Sequence, residues 1–301
     1  MWWVFEAITF FYLIAVGAFF IEVGTQWGSF QKKKLVLVLV GILAVGWLTI
    51  FYGSFIEPRI LVVREEAIQI SDEPTEELRA VVMADIHLGP YRKSRWAEEV
   101  VEKIMDQNPD IIFLPGDFIF KDPDEAEMLE PLAGLSAPYG VYAVTGNHDY
   151  EGDDVQYVID TLMRQGIIIL ENDRDRIMVG EKEVVIAGVS DIWYDGSTHR
   201  TLAGIDDEET VILLAHNPDA VLLSNTDRAD LVVSGHTHGG QIRLPWIGSI
   251  AQVPTLLGND YDKGLFDYIN QKLFITAGVG ETGPRARLFN PPEINVLTIS
   301  L

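Results

Sequence analysis

Two apolar runs at the start of the chain constrain its fold more than any other feature. Trp2 to Val23 is interrupted only by Glu6, Thr9 and Glu22, and Leu35 to Ile56 is a second run of similar length. As helices rising about 1.5 Å per residue, both can cross a hydrocarbon layer of about 30 Å. Thr25 to Lys34 lies between them and contains Lys32, Lys33 and Lys34. Residues 1–56 are therefore expected to form a transmembrane hairpin with a short basic loop, a multi-pass anchor in the cell membrane. The start Met1-Trp2-Trp3 has no basic n-region, and no small-residue cleavage pattern precedes the loop, so a signal peptide fits poorly. A buried helical hairpin in a soluble protein is the alternative. Placing the three lysines in the cytoplasm puts everything after Glu57 on the extracytoplasmic side, against the opposing pull of Arg59 and Arg64.

Charge narrows the partners of the remainder. The net charge is −23, and residues 1–56 hold three Lys and two Glu, so residues 57–301 carry −24. An acidic domain repels a phosphate backbone, and nucleic acid is not expected as a partner. With no cysteine in the chain, disulfides and thiolate metal sites are excluded, and any metal must be held by imidazole and oxygen.

Residues 57–77 are expected to be a linker and first strand region, and residues 78–301 a single domain. From Leu78 onward short apolar runs alternate with amphipathic stretches, the pattern of a layered α/β fold. Strands are predicted over Leu78–Ala84, Asp110–Leu114, Gly140–Thr145, Val184–Val189, Thr210–Ala215, Asp230–Ser234 and Lys272–Ala277. Helices are predicted over Ser94–Gln107, Asp122–Leu135, Asp153–Gln165 and Pro218–Ser224, with Ser94 and Asp153 as N-caps.

The polar residues that carry chemistry follow directly on these strands, on the rim where open α/β sheets place ligands. Asp85-Ile86-His87, Gly116-Asp117, Gly146-Asn147-His148-Asp149, His216-Asn217 and Gly235-His236-Thr237-His238 each follow one. In Asp85-x-His87 and His236-x-His238, alternate residues of an extended segment point the same way and can share one centre. Asp117 suits a bridging role, because a carboxylate has two oxygens and offsets repulsion between cations about 3.5–4 Å apart. Taken singly, each cluster is more simply a turn or a hydrogen-bonded core residue. Jointly they are not, since five of the six histidines fall in them and only His199 is left without a role.

This ordered set resembles the calcineurin-like metallophosphoesterases throughout residues 78–301. The resemblance implies a four-layer α/β/β/α sandwich and a site for two divalent ions, with Mn²⁺ favoured and Fe or Zn²⁺ as alternatives. By position, Asp85, His87 and His238 would hold one metal, Asn147, His216 and His236 the other, and Asp117 would bridge them. His148 matches the family's catalytic histidine, with Asp149 orienting its imidazole. The Gly235-His-Thr-His-Gly-Gly-Gln241 segment, the run Gly278-x-Gly280-x-x-Gly283-x-x-Ala286-Arg287 and Asn290-Pro291-Pro292-Glu293-Ile294 are similar to bacterial membrane-associated phosphodiesterases. Those relatives include diphosphatases acting on UDP-2,3-diacylglucosamine. The implied activity is phosphodiester or diphosphate hydrolysis on a lipid-linked or nucleotide-linked substrate; a phosphomonoesterase or a non-catalytic membrane scaffold are the alternatives.

Two further segments invite a substrate or membrane role. Tyr91-Arg92-Lys93-Ser94-Arg95-Trp96 places three cations and two aromatics after the first ligand motif, so Arg92 and Arg95 are candidates to meet a substrate phosphate or lipid head groups. A solvated helix N-terminus explains them equally well. Leu244 to Leu257 is an apolar stretch just after the last ligand motif, suited either to dip into a bilayer or to pack in the core.

Overall fold

A computed structural model of the chain describes residues 2–152 and 154–301. Its first two elements are the helices α1 (Trp2–Thr25) and α2 (Lys33–Phe51). Trp47 donates to the Leu13 carbonyl at 2.9 Å and Phe55 packs on Phe10 at 5.6 Å between ring centroids, so the two run antiparallel. Apolar side chains such as Phe11, Ile14, Ile21, Leu35, Ile42 and Val45 stay exposed around the pair. An all-round apolar surface suits a helix surrounded by lipid, and Trp3–Thr25 and Lys33–Arg59 are both long and apolar enough to cross a membrane.

After the hairpin the chain forms strands β1 (Val62–Gln69) and β2 (Glu77–Val82), helix α3 (Ser94–Met105), and strands β3 (Ile111–Pro115) and β4 (Val141–Val144). Next come α4 (Asn147–Tyr150), α5 (Val155–Arg164), β5 (Ile168–Ile169), β6 (Asp173–Val179), β7 (Lys182–Val189) and α6 (Thr198–Leu202). The chain continues through β8 (Thr210–Ala215), β9 (Leu231–Ser234), β10 (Arg243–Leu244), β11 (Gly248–Ser249), β12 (Gly264–Tyr268), β13 (Gln271–Ile275) and β14 (Glu293–Ser300). One six-stranded sheet has the order β1-β14-β2-β3-β4-β5, the other β12-β13-β9-β8-β7-β6, and β10 pairs with β11 apart from both.

Side-chain alternation builds the layers. Leu78, Ala80 and Val82 of β2 face Ile186, Ile212, Leu214 and Val233 of the other sheet in the inter-sheet core. Val81 and its neighbours on the opposite face pack on Ala97, Val100 and Ile104 of α3, and Val185, Val211 and Val232 pack on Leu202, Ala220 and Val221. The result is a four-layer α/β/β/α sandwich, its two sheets buried on both faces. The parallel strands β2, β3 and β4, and β7, β8 and β9, end on the same rim.

Local departures from the sequence expectations have identifiable causes. Pro123–Gly134 forms 3₁₀ turns rather than an α-helix, with Pro131 inside the segment unable to donate, and Pro218–Leu222 does the same behind Pro218. Ser94 is the first residue of α3, not its cap, and Lys93 before it makes no capping bond. Asp153 lies outside the described residues, and Asp154 caps α5 by accepting from the Tyr157 N–H at 3.2 Å. Six strands were not expected, β5, β6, β10, β11, β12 and β14, while β1 is the strand of the 57–77 stretch and pairs in parallel with β14.

Beyond α2 the chain makes a wide turn over Tyr52–Ile56 and a 3₁₀ turn over Glu57–Arg59, and here the hairpin is bonded to the domain. The Arg287 N–H donates to the Gly53 carbonyl at 2.9 Å, Asn290 N–H to the buried Glu57 carboxylate, and the Arg92 guanidinium to the Pro58 carbonyl.

Candidate metal centre

The loops that leave β2, β3 and β9 turn sharply at the rim. Asp85, His87, Asp117, His236 and His238 all have positive φ, between 45° and 70°. This region is sparsely populated by non-glycine residues, and several such residues in one place are a feature of functional sites. The turns aim their side chains inward, and all five are buried. His216 and Asn147 complete the set from the ends of β8 and β4.

Three overlapping groups of potential ligand atoms result, each within 4.8 Å: Asp85, His87 and His238; Asp117, His216 and His236; and His87, Asp117 and His148 between them. Asp117 belongs to both sides. Its Oδ2 is 3.4 Å from His87 Nε2 and 3.2 Å from His216 Nε2. On one side His87 Nε2 lies 3.1 Å from His238 Nε2, itself 3.6 Å from Asp85 Oδ1. On the other, His216 Nε2 lies 3.1 Å from His236 Nδ1 and 3.2 Å from Asn147 Oδ1. The far nitrogen of His216 bonds the Pro115 carbonyl at 2.8 Å, which fixes the ring and presents Nε2 to the centre.

Imidazole nitrogens this close, buried and facing one another, fit a cation between them. Burial and His148 push the His87 ring down to about 3, leaving it a neutral donor. Burial opposes protonation of His216 too, but the charge of Asp117 and its hydrogen bond carry it up to about 10. His216, by charge and hydrogen bond, and His148 hold the Asp117 carboxyl well below its usual range despite burial. The same pull of Asp117 that favours a proton on His216 favours a metal ion in its place, and the N/O donor set fits two divalent ions.

The structure reassigns Asp149. Its carboxylate accepts four backbone N–H bonds, from Asp117 at 3.0 Å, Phe118 at 2.8 Å, Ile119 at 3.2 Å and Gly146 at 2.8 Å. Asp149 shapes the loop that presents Asp117, and the His148 ring is held instead by the Phe120 carbonyl on Nδ1. The His148 backbone N–H donates to Asp117 Oδ1 at 2.9 Å, and its Nε2 points to Thr282 Oγ1 at 3.4 Å. Burial works against its protonation, yet Asp117 and Phe120 raise it above the ordinary histidine value.

Arg92 and Arg95 are not gathered at this centre. Arg92 is buried in a two-bond ion pair with Glu281, at 2.6 and 3.0 Å, with its guanidinium 3.9 Å over the Trp96 ring. Arg95 is exposed and pairs with Glu99 one helical turn on.

Several contributors escaped the sequence reading. The Trp193 ring stands edge-on to His236 at 4.7 Å, on the segment after β7, a strand end that carries no histidine to mark it. Asn290 donates from its side chain to the His238 carbonyl at 2.7 Å. The buried Arg287 guanidinium ties the carbonyls of Ala277, Gly278, Gly280 and Asn290 together.

Residues 78–240, which contain every ligand named above, match the calcineurin-like phosphoesterase family. The chain belongs to that family. Among curated relatives, a metallophosphoesterase of Bacillus subtilis, YkuE, is 29% identical over 281 residues, covering 89% of this chain and 97% of its own. A second from that organism, YkoQ, is 32% identical over 226 residues, 73% of this chain and 82% of its own. A zebrafish transmembrane protein with a metallophosphoesterase domain is 30% identical over 289 residues; the match takes in 90% of this chain and 63% of the zebrafish one. As a calcineurin-like phosphoesterase the chain is a metal-dependent hydrolase of phosphoesters, and it carries two helices long and apolar enough to cross a membrane.

Proposed function

We propose that this protein is a membrane-anchored phosphodiesterase or diphosphatase that acts on a lipid-linked or nucleotide-linked substrate such as UDP-2,3-diacylglucosamine, with its domain on the extracytoplasmic face. The observation that carries the reading is the position of Asp117 Oδ2, within 3.4 Å of an imidazole from each ligand group. Mn²⁺ is the favoured occupant, with Fe or Zn²⁺ as alternatives. When bound, two such ions supply Lewis acidity toward phosphoryl oxygens and lower the pKa of a coordinated water. Asp117 would hold the ions together. His148, held by Phe120 and only partly buried, is placed to give a proton to the leaving oxygen. The orientation rests on the three lysines at the hairpin's far end.

The test uses the purified full-length protein, stripped with chelator and reloaded with Mn²⁺. It is assayed on bis-p-nitrophenyl phosphate, p-nitrophenyl phosphate and UDP-2,3-diacylglucosamine, beside Asp117→Asn and His148→Ala. Diester or diphosphate turnover that disappears on stripping and in both variants is the expected result. Turnover that survives in both variants overturns the mechanism, preference for the monoester overturns the substrate class, and absence of bound metal overturns the enzyme reading. A reporter fused to the C-terminus reads the side of the membrane.

A further inference from the structure

A cavity of about 490 Å³ opens beside the metal centre, within the size range of small-ligand pockets. His236 and His238 stand at its inner end, and its walls are apolar: Ile242, Ile250, Ala251, Val253, Pro254 and Pro284. A phosphoester whose phosphorus lies at the metal centre would place one substituent against these walls. The pocket supplies surface for hydrocarbon and little for a sugar or a base.

The segment that carries Pro284 also reaches the hairpin. Pro284 precedes Arg285, which is 3.8 Å from Glu6 of α1, and Arg287 bonds to Gly53 at the end of α2. The same segment is stitched to the opposite wall: Leu288 N–H donates to the Gln241 carbonyl at 3.0 Å, and Arg243 N–H to the Leu288 carbonyl at 2.9 Å. The cavity thus has the metal centre at one end, and the segment that gives it Pro284 runs on into the contacts with the hairpin. Ile250 on its wall is exposed, and on the same stretch of chain the tip of the β10–β11 hairpin exposes Trp246 and Ile247, beside Phe289 at a second cavity, with Leu256 exposed as well. Such a group costs free energy in water and gains it in a bilayer interface.

We infer that this cavity is the subsite for a single hydrocarbon chain of a phosphoester resident in the bilayer, which enters past the exposed Ile250 on its wall. The inference rests on the phosphodiesterase reading and narrows its substrate to an amphiphile. The phosphate stays at the polar end of the cavity while the chain leaves lipid for an apolar wall, so extraction exposes little hydrocarbon to water. Leu244 to Leu257, open between core and membrane in the sequence, divides accordingly. Val253 is buried against the cavity, and Trp246, Ile247, Ile250 and Leu256 are turned outward.

Binding of octylphosphonate and ethylphosphonate to the metal-loaded full-length protein in phosphatidylcholine nanodiscs tests this, with empty nanodiscs subtracted. At about 0.8 kcal/mol per buried CH₂, even partial burial of six extra methylenes makes the octyl compound at least about 10-fold tighter. Ala251→Trp, at a solvent-accessible position on the wall, fills the cavity and is expected to cut the octyl-to-ethyl ratio at least about fivefold, and Ile250→Asp lowers it as well. A ratio near unity in the wild type, or one that neither variant changes, overturns the subsite. Because the ratio is read from binding alone, loss of the parent reading appears separately, as a wild type that binds octylphosphonate preferentially yet hydrolyses no diester.

Discussion

Adding one methyl group at Gly146 should disable the centre without removing any ligand. A Cβ built there lies 2.2 Å from Asp117 Oδ1 and 2.6 Å from Asp117 N. Against an ordinary van der Waals separation of about 3.5 Å, the carboxylate must retreat by more than about 1 Å. It has little freedom to do so, because Asp149 holds the Asp117 N–H at 3.0 Å and Oδ1 accepts from His148 N–H at 2.9 Å. Gly146 itself has φ −109°, so the backbone tolerates alanine and the effect is steric. Misplacing a catalytic group by about 1 Å costs on the order of 10²-fold in rate, and overpacking costs about 1–3 kcal/mol of stability. Gly146→Ala is therefore expected to lower kcat on bis-p-nitrophenyl phosphate about 100-fold. The matched control is Gly166→Ala, at φ +85° with nothing within 4 Å of the added methyl. It should cost about 1–2 kcal/mol of stability and leave kcat unchanged. The assay pairs steady-state kinetics with metal content per chain and a thermal melt. A Gly146→Ala protein that binds its full metal complement and turns over within about threefold of wild type would refute the reasoning, since the bridging carboxylate would then not need its present position.

Two other substitutions probe the buried charges. Glu293 is buried against Lys263 at 2.8 Å and Arg64 at 2.9 Å; burial opposes its ionisation, but these cations hold its carboxyl below the usual glutamate value. A depressed carboxylate stabilises above its unfolded pKa and loses that contribution as pH falls through the folded one. Glu293→Gln is expected to be about 3–5 kcal/mol less stable at pH 7 and to lose less stability on acidification than wild type. Parallel denaturation profiles from neutral to acid pH would contradict this. Arg92→Ala strands the buried Glu281 carboxylate and is expected to cost about 3–5 kcal/mol, whereas Arg95→Ala stays within about 0.5 kcal/mol. Thermal melts and turnover separate these structural roles from a substrate role, which a tenfold activity loss in a fully stable Arg95→Ala protein would restore.

The strands β2, β3, β4, β7, β8 and β9, and the gathering of the polar clusters at their ends, were legible because the signals there are strong and local; the interior strand β14 was missed. β3, β8 and β9 are apolar on both faces, as β2 is from Ala80 onward, and each runs into a turn that carries a histidine or a carboxylate. Edge strands are less visible. β1, β6 and β12 carry charges on a half-paired ladder, as edges commonly do, and Val-Val-Arg-Glu-Glu-Ala-Ile-Gln reads as linker as easily as strand. Roles that depend on long-range partners were invisible in the same way. Nothing near Asp149 in the sequence announces that its oxygens serve Phe118 and Ile119, or that Arg92 closes on Glu281 from 189 residues away.

The placement of β14 has a consequence for how the molecule is made. Its residues 293–300 lie between β1 and β2, pairing Val62 with Glu293 and Val82 with Asn295, so one sheet is completed by a strand synthesised more than 200 residues after its neighbours. Until that strand arrives, β1 and β2 lack the partner that joins them in the sheet. Pairing of this range is slow and leaves ladder groups unmet meanwhile, so folding ends with an insertion rather than a collapse. The loop between β13 and β14, which holds Arg287 and Asn290, is delivered in the same step. The nascent chain therefore acquires its sheet, its contact with the helix end and the support beneath His238 together.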